Sequence, residues 1–121
     1  MGLYEAAERL AELLKAMGVY ERVVVASRGA ECIILEAARG EALHVIALAA
    51  RDDWVYAKLA PVEALGYSTP TCDRLYYNPY GLYAFAKSVE ALAEKIAAKQ
   101  ARLAAQQRLV QKVLERSGIP E

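Results

Sequence analysis

Ten aromatic residues occur in the 121-residue chain, and eight of them lie between Trp54 and Phe85. They are Trp54, Tyr56, Tyr67, Tyr76, Tyr77, Tyr80, Tyr83 and Phe85, with Arg51, Lys58, Arg74 and Lys87 threaded among them. Rings offer stacking platforms to unpaired bases, and neighbouring Lys or Arg side chains meet the phosphates. Each stacked base contributes about 1–3 kcal/mol, so a few rings bind a single strand without a large net charge. The residues expected to do this are Trp54 and Tyr56 as a platform, with Lys58 next along the same row. Tyr76, Tyr77 and Tyr80 would close over the bases, while Arg74 and Lys87 neutralise phosphates. The same residue types also build protein interfaces, because Tyr and Trp join a large apolar body to a polar handle. A structural adaptor gripping another protein is therefore the rival reading.

Patterns for catalysis are thin, and no catalytic residue, metal ligand or cofactor is expected. The chain has no Gly-rich phosphate loop, no nucleophile elbow and no His pair at metal spacing. His44, the only histidine, sits within an apolar run and reads as a strand residue. Cys32, His44, Cys72 and Asp73 are too irregularly spaced to suggest a zinc site. A metal-dependent nuclease ranks third. Such enzymes place a Glu two residues before a strand Lys to hold magnesium, and Tyr56 occupies that place before Lys58.

The elements that must position these groups follow from periodicity. Leu3, Ala6, Ala7, Leu10, Leu13, Leu14 and Met17 fall at helical spacing, and Gly18 stands where a left-handed cap belongs. Residues 22–27, 31–38, 42–49 and 54–59 are short runs rich in Val, Ile and aromatics, separated by hairpin-length connections. Connections so short hold no crossover helix, so the strands should form an antiparallel meander. Alternation puts Trp54, Tyr56 and Lys58 on one face of the fourth strand.

From residue 60 to 81 periodicity fades, and three of the four prolines fall there: Pro61, Pro70 and Pro79. A brief helical turn is expected at 62–65 within this aromatic loop. A helix is then expected from Leu82 to Ser117, roughly 54 Å long at about 1.5 Å per residue. Its heptads place Leu82, Val89, Ile96, Leu103 and Val110 at a, and Phe85, Leu92, Lys99, Gln106 and Val113 at d. So long a helix should carry the chain into a homodimer or homotetramer. The expected organisation is a single domain, with residues 1–81 as core and aromatic loop and 82–121 as the oligomerising helix. The fold class is α+β: a four-stranded antiparallel meander flanked by an N-terminal helix and a long C-terminal, coiled-coil-like one.

Fifteen basic and fifteen acidic residues cancel, which excludes a histone-like binder held by bulk charge. The distribution is nevertheless uneven: residues 1–50 carry −2, 51–81 carry −1 and 82–121 carry +3. No apolar run reaches the roughly 18 residues of a membrane helix, and the acidic N-terminal region does not resemble a secretory signal. The expected location is the cytoplasm, without a membrane partner. One Asn and four Gln against 24 Ala lean towards a thermophile, a setting that tolerates intracellular disulfides. Cys32 and Cys72 read as two buried thiols, with a disulfide between them as the alternative.

The order of helix, four-strand meander, aromatic loop and long heptad-bearing helix resembles the ThermoDBP-type single-stranded DNA-binding proteins of thermophilic archaea. The likeness rests on that layout and on the Trp54-x-Tyr56-x-Lys58 and Tyr76–Tyr80 clusters. It implies a non-OB fold, a cleft that holds single strands without sequence preference, and homo-oligomers joined through helices; the residue chemistry leaves DNA and RNA both open.

Overall fold

The computed structural model describes residues 2–29, 31–65 and 70–117, with side chains described as far as residue 105. Helix α1 (Leu3–Ala16) opens the chain and buries Ala6, Ala7, Leu10, Ala11 and Leu14 along one stripe. Its end is closed by a paired backbone cap. Gly18 N–H donates to Lys15 O and Val19 N–H to Leu14 O, with Gly18 at φ 73°. The chain then reverses through Val19 and Tyr20, both buried, into the sheet.

Five antiparallel strands follow in sequence order: β1 (Arg22–Arg28), β2 (Ile33–Arg39), β3 (Ala42–Arg51), β4 (Trp54–Pro61) and β5 (Leu82–Ala86). Two-residue hairpins join β2 to β3 and β3 to β4, with Gly40 at φ 58° and Asp52 at φ 56° supplying the left-handed residues such turns need. Between β4 and β5 lie a 3-10 turn (Val62–Leu65) and the short helix α2 (Cys72–Tyr76), whose N-terminus Thr71 caps by accepting from Arg74 N–H. Helix α3 (Val89–Ser117) ends the described chain.

The fifth strand corrects the expected four-strand fold. Leu82 and Phe85 were expected at heptad positions of a helix; both lie in β5, and α3 starts at Val89. Two features decide this. Leu82, Ala84 and Ala86 alternate with the exposed Tyr83 and Phe85, which suits a strand that covers the edge of β4. Ser88 is also a helix N-cap, its Oγ accepting from Ala91 N–H at 3.1 Å. Residues 82–86 thus belong to the core, not to an oligomerising arm.

One face of the sheet carries α1 and α3. There Ile33, Leu35, Ile46, Leu48, Ala57, Leu59 and Ala84 pack against Leu10, Leu14, Leu92 and Ile96. Val89, Leu92, Ile96 and Leu103 are all buried in this cluster, so the heptad face over that span is used inside the chain. The side chains of Val110 and Val113 lie outside the described part. A smaller cluster of Ile34, Val45, Ala47, Ala60, Leu65 and Leu75 seats α2 on the opposite face. No described helix is long and apolar enough to cross a membrane.

Candidate functional site

The second face of the sheet is only partly covered. α2 and the 3-10 turn sit over β3 and β4 and leave β5 and the first residues of β4 open. In the antiparallel register Tyr56 pairs with Phe85 and Lys58 with Tyr83, so these four side chains leave the sheet on the same side as Trp54. The rings gather. Tyr56 and Phe85 centroids are 6.1 Å apart with planes 28° from parallel, and Tyr83 and Phe85 are 6.3 Å apart at 16°. From α2, Tyr76 reaches Tyr56 at 6.0 Å and 47°. Trp54, Tyr83 and Phe85 are 45%, 41% and 50% exposed, large values for aromatic side chains so close together.

Tyr83 and Phe85 complete the exposed ring cluster and were not among the expected binding residues. Their spacing of two, with alanine between, was the available signal, but the overlapping heptad count hid it. Of the expected residues, Tyr56 and Tyr76 come together, and Trp54 shares the same face of β4. Lys87 also joins them, its Nζ 5.3 Å from the Trp54 ring centroid, so a cation stands beside the outermost ring.

Lys58 does something else. It was expected to meet a phosphate, yet it is 1% exposed. Its Nζ donates to Asn78 O at 2.8 Å and lies 4.2 Å from the Tyr83 ring centroid. A buried amine so placed ties the aromatic loop to the sheet and holds the Tyr83 ring. Asn78 extends the tie: its Nδ2 donates to Ala64 O and its Oδ1 accepts from Tyr80 N–H. The Tyr83 hydroxyl donates to Tyr76 O, and Lys95 Nζ donates to Phe85 O, closing the outer edge of β5. Burial, with Tyr56 and Tyr83 nearby, pushes the Tyr76 phenol well above its usual range, so it remains a hydroxyl donor.

Arg74, Tyr77 and Tyr80 stand apart from this cluster. Within α2, Cys72, Leu75 and Tyr76 pack towards the sheet, whereas Asp73, Arg74 and the C-cap residue Tyr77 are exposed. Arg74 and Tyr77 instead line a shallow cavity of about 390 Å³ with Ala64, Leu65, Asn78 and Pro79. Tyr77 and Tyr80 are 85% and 67% exposed.

Cys32 and Cys72 form a disulfide, so the two-thiol expectation gives way to the alternative. The bond joins the start of β2 to the first turn of α2. Tyr76, one helical turn beyond Cys72, places its hydroxyl 4.0 Å from Cys32 Sγ.

His44 belongs to the other face. Its Nδ1 is 2.7 Å from the Tyr20 hydroxyl, and its buried Nε2 has no partner among the described residues. Desolvation holds it below the usual imidazole range, against a weaker upward pull from Glu63. Among the described residues no group of three or more His, Cys, Asp or Glu side chains gathers to hold a metal ion. No family model, no curated protein and no solved structure matches the chain.

Proposed function

We propose that this protein binds single-stranded nucleic acid, DNA or RNA, through the open aromatic face of its sheet, with little sequence selectivity. The observation that carries the reading is the row Trp54, Tyr56, Phe85 and Tyr83, rings on adjacent antiparallel strands that leave the sheet on one side. Every base has a face to stack on such rings, and a duplex hides those faces, so the preference is for single strands. Lys87 beside Trp54 supplies a phosphate contact at the row's outer end. Arg74 and Tyr77, on the outer side of α2, would meet the strand only after it leaves the platform.

The resemblance to ThermoDBP-type proteins is part of this proposal. So are its corollaries: a cytoplasmic protein of a thermophilic archaeon, and self-association through the end of α3 beyond Leu103, where the heptad continues in Val110 and Val113. Their support is composition and the Trp54–Lys58 and Tyr76–Tyr80 clusters in the sequence, since the four-strand layout gives way to five strands. The second reading, an aromatic surface for another protein, is favoured by the zero net charge of the chain.

A titration of the intact protein with a fluorescent oligonucleotide of about 20 nucleotides separates the two, since footprints of comparable binders run to about 16. Binding that quenches Trp54, and that a duplex of the same sequence does not compete away, supports the proposal. No binding and no quenching at low salt would overturn it and leave the protein-contact reading.

A further inference from the structure

We infer that the Cys32–Cys72 disulfide is a redox latch on the nucleic-acid platform, holding Tyr76 against Tyr56 when oxidised and releasing it when reduced. The inference rests on the stacking function proposed above. It starts from topology: the bond is a covalent tie between α2 and the sheet, joining residues 40 apart in sequence. α2 has only five residues, too few to persist by helix propensity once detached. Its remaining hold on the sheet is Leu75, buried in the small cluster with Leu65 and Val45, together with the hydrogen bonds from the Tyr83 hydroxyl to Tyr76 O and from Lys58 Nζ to Asn78 O.

Tyr76 follows Cys72 by one helical turn, so the side chain that carries the ring and the side chain that carries the sulfur share the sheet-facing side of α2. The ring lies 6.0 Å from Tyr56, and its hydroxyl 4.0 Å from Cys32 Sγ. The latch and the ring are therefore neighbours on one surface. Cys32 and Cys72 are each partly exposed, which leaves the bond open to an external reductant.

The chemistry balances with a dithiol as the co-reactant. Its thiolate attacks one sulfur, the S–S bond breaks, and a mixed disulfide forms; the second thiol then closes the reagent's own ring. Cys32 and Cys72 gain two electrons and two protons and leave as thiols. With the tie gone, a strand that binds must first order α2, and the platform offers one ring fewer in place.

The test compares oxidised and dithiothreitol-reduced protein, each state verified by mass, in the same oligonucleotide titration. Reduction should weaken binding by about tenfold, within the range for one stacked base. It should also speed tryptic cleavage after Arg74, which Leu75 shields while α2 is seated. Tyr76→Ala should bind about as weakly when oxidised as reduced wild type does, and should not respond to dithiothreitol. Circular dichroism of the reduced protein should show the sheet intact; weakened binding accompanied by loss of the sheet would overturn the latch. Equal affinity of both states would overturn the latch; if Trp54→Ala still weakens binding in that case, the stacking function stands without it. If the oxidised protein binds no single strand at all, both fall together.

Discussion

Tyr56 and Phe85 face each other across the β4–β5 ladder, their rings 6.1 Å apart and 28° from parallel. Neither ring is needed to close the main core, which lies on the opposite face of the sheet. Phe85 in particular is half exposed. An apolar ring held in water beside a second and a third ring is the exposed patch that the proposed strand would cover. Tyr83 extends the row on the same strand, and Trp54 extends it on the other.

Phe85→Ala should separate binding from folding. The side chain is half exposed, so its loss should cost little stability, about 1 kcal/mol or less in urea denaturation. Binding to a single strand should weaken by roughly 5- to 150-fold, the equivalent of about 1–3 kcal/mol for one stacked base. The weakening should be equal at low and high salt because no cation has been removed. A Phe85→Ala protein that binds like wild type would place the strand elsewhere.

How much of this arrangement could be read from sequence depends on the residue. Trp54 and Tyr56 were legible, because strict alternation in a strand bounded by a hairpin turn leaves one assignment of faces. Phe85 was not, since Leu82 and Phe85 satisfy a heptad that Val89, Leu92 and Ile96 genuinely continue. Local pattern admits both helix and strand there, and the bare edge of β4 decides between them, which is tertiary information. Lys58 was placed on the correct face but given the wrong task. Its burial depends on Asn78 O arriving from 20 residues away. The Cys32–Cys72 pairing likewise needs the loop to fold back onto β2, and no spacing rule foretells that.

Gly81→Ala should damage the platform from outside it. Gly81 turns the chain into β5 at φ 102°, and a Cβ there would lie 2.4 Å from Leu59 O. The obstacle is backbone, so a rotamer change gives no relief. A cost of about 3 kcal/mol or more is expected from the strain and overlap combined. Urea denaturation should show that loss, and single-strand binding should fall with it as Tyr83 and Phe85 leave register. An unchanged midpoint would mean that β5 starts by some other path.

Acid should find His44. Burial lowers its protonation below the usual 6.5 while the unfolded chain keeps the ordinary value. Between those two points the unfolded state binds a proton that the folded state refuses. Stability from this residue is therefore complete above about pH 6.5 and is lost as pH falls towards the lowered folded value, by up to about 1.4 kcal/mol per pH unit. Replacing His44 with Leu should flatten that part of the profile, seen as a difference curve in denaturation between about pH 7 and pH 5. The replacement also strips the Tyr20 hydroxyl of its partner, so the mutant should be less stable at neutral pH. A profile with the same slope in both proteins would remove His44 from the account.

The two lysines of the site should respond in opposite ways. Lys87 is exposed beside Trp54, where a phosphate can approach it. Lys87→Ala should lower affinity most at low salt and reduce the dependence of log affinity on log salt by about 0.7, one phosphate contact on a single strand. Lys58 is sealed beneath Tyr83 and tied to Asn78 O, so no phosphate reaches it. Lys58→Met keeps the apolar stem and deletes the hydrogen bond and the cation–π contact. It should cost about 1.5–3 kcal/mol of stability, the range for a hydrogen bond from a charged group. Its salt slope should equal that of wild type, with affinity reduced by the same factor at every salt concentration as Tyr83 and the loop lose their support. A Lys58→Met protein whose salt slope falls as that of Lys87→Ala does would show that Lys58 touches the strand after all, which would require the loop at Asn78 to open on binding.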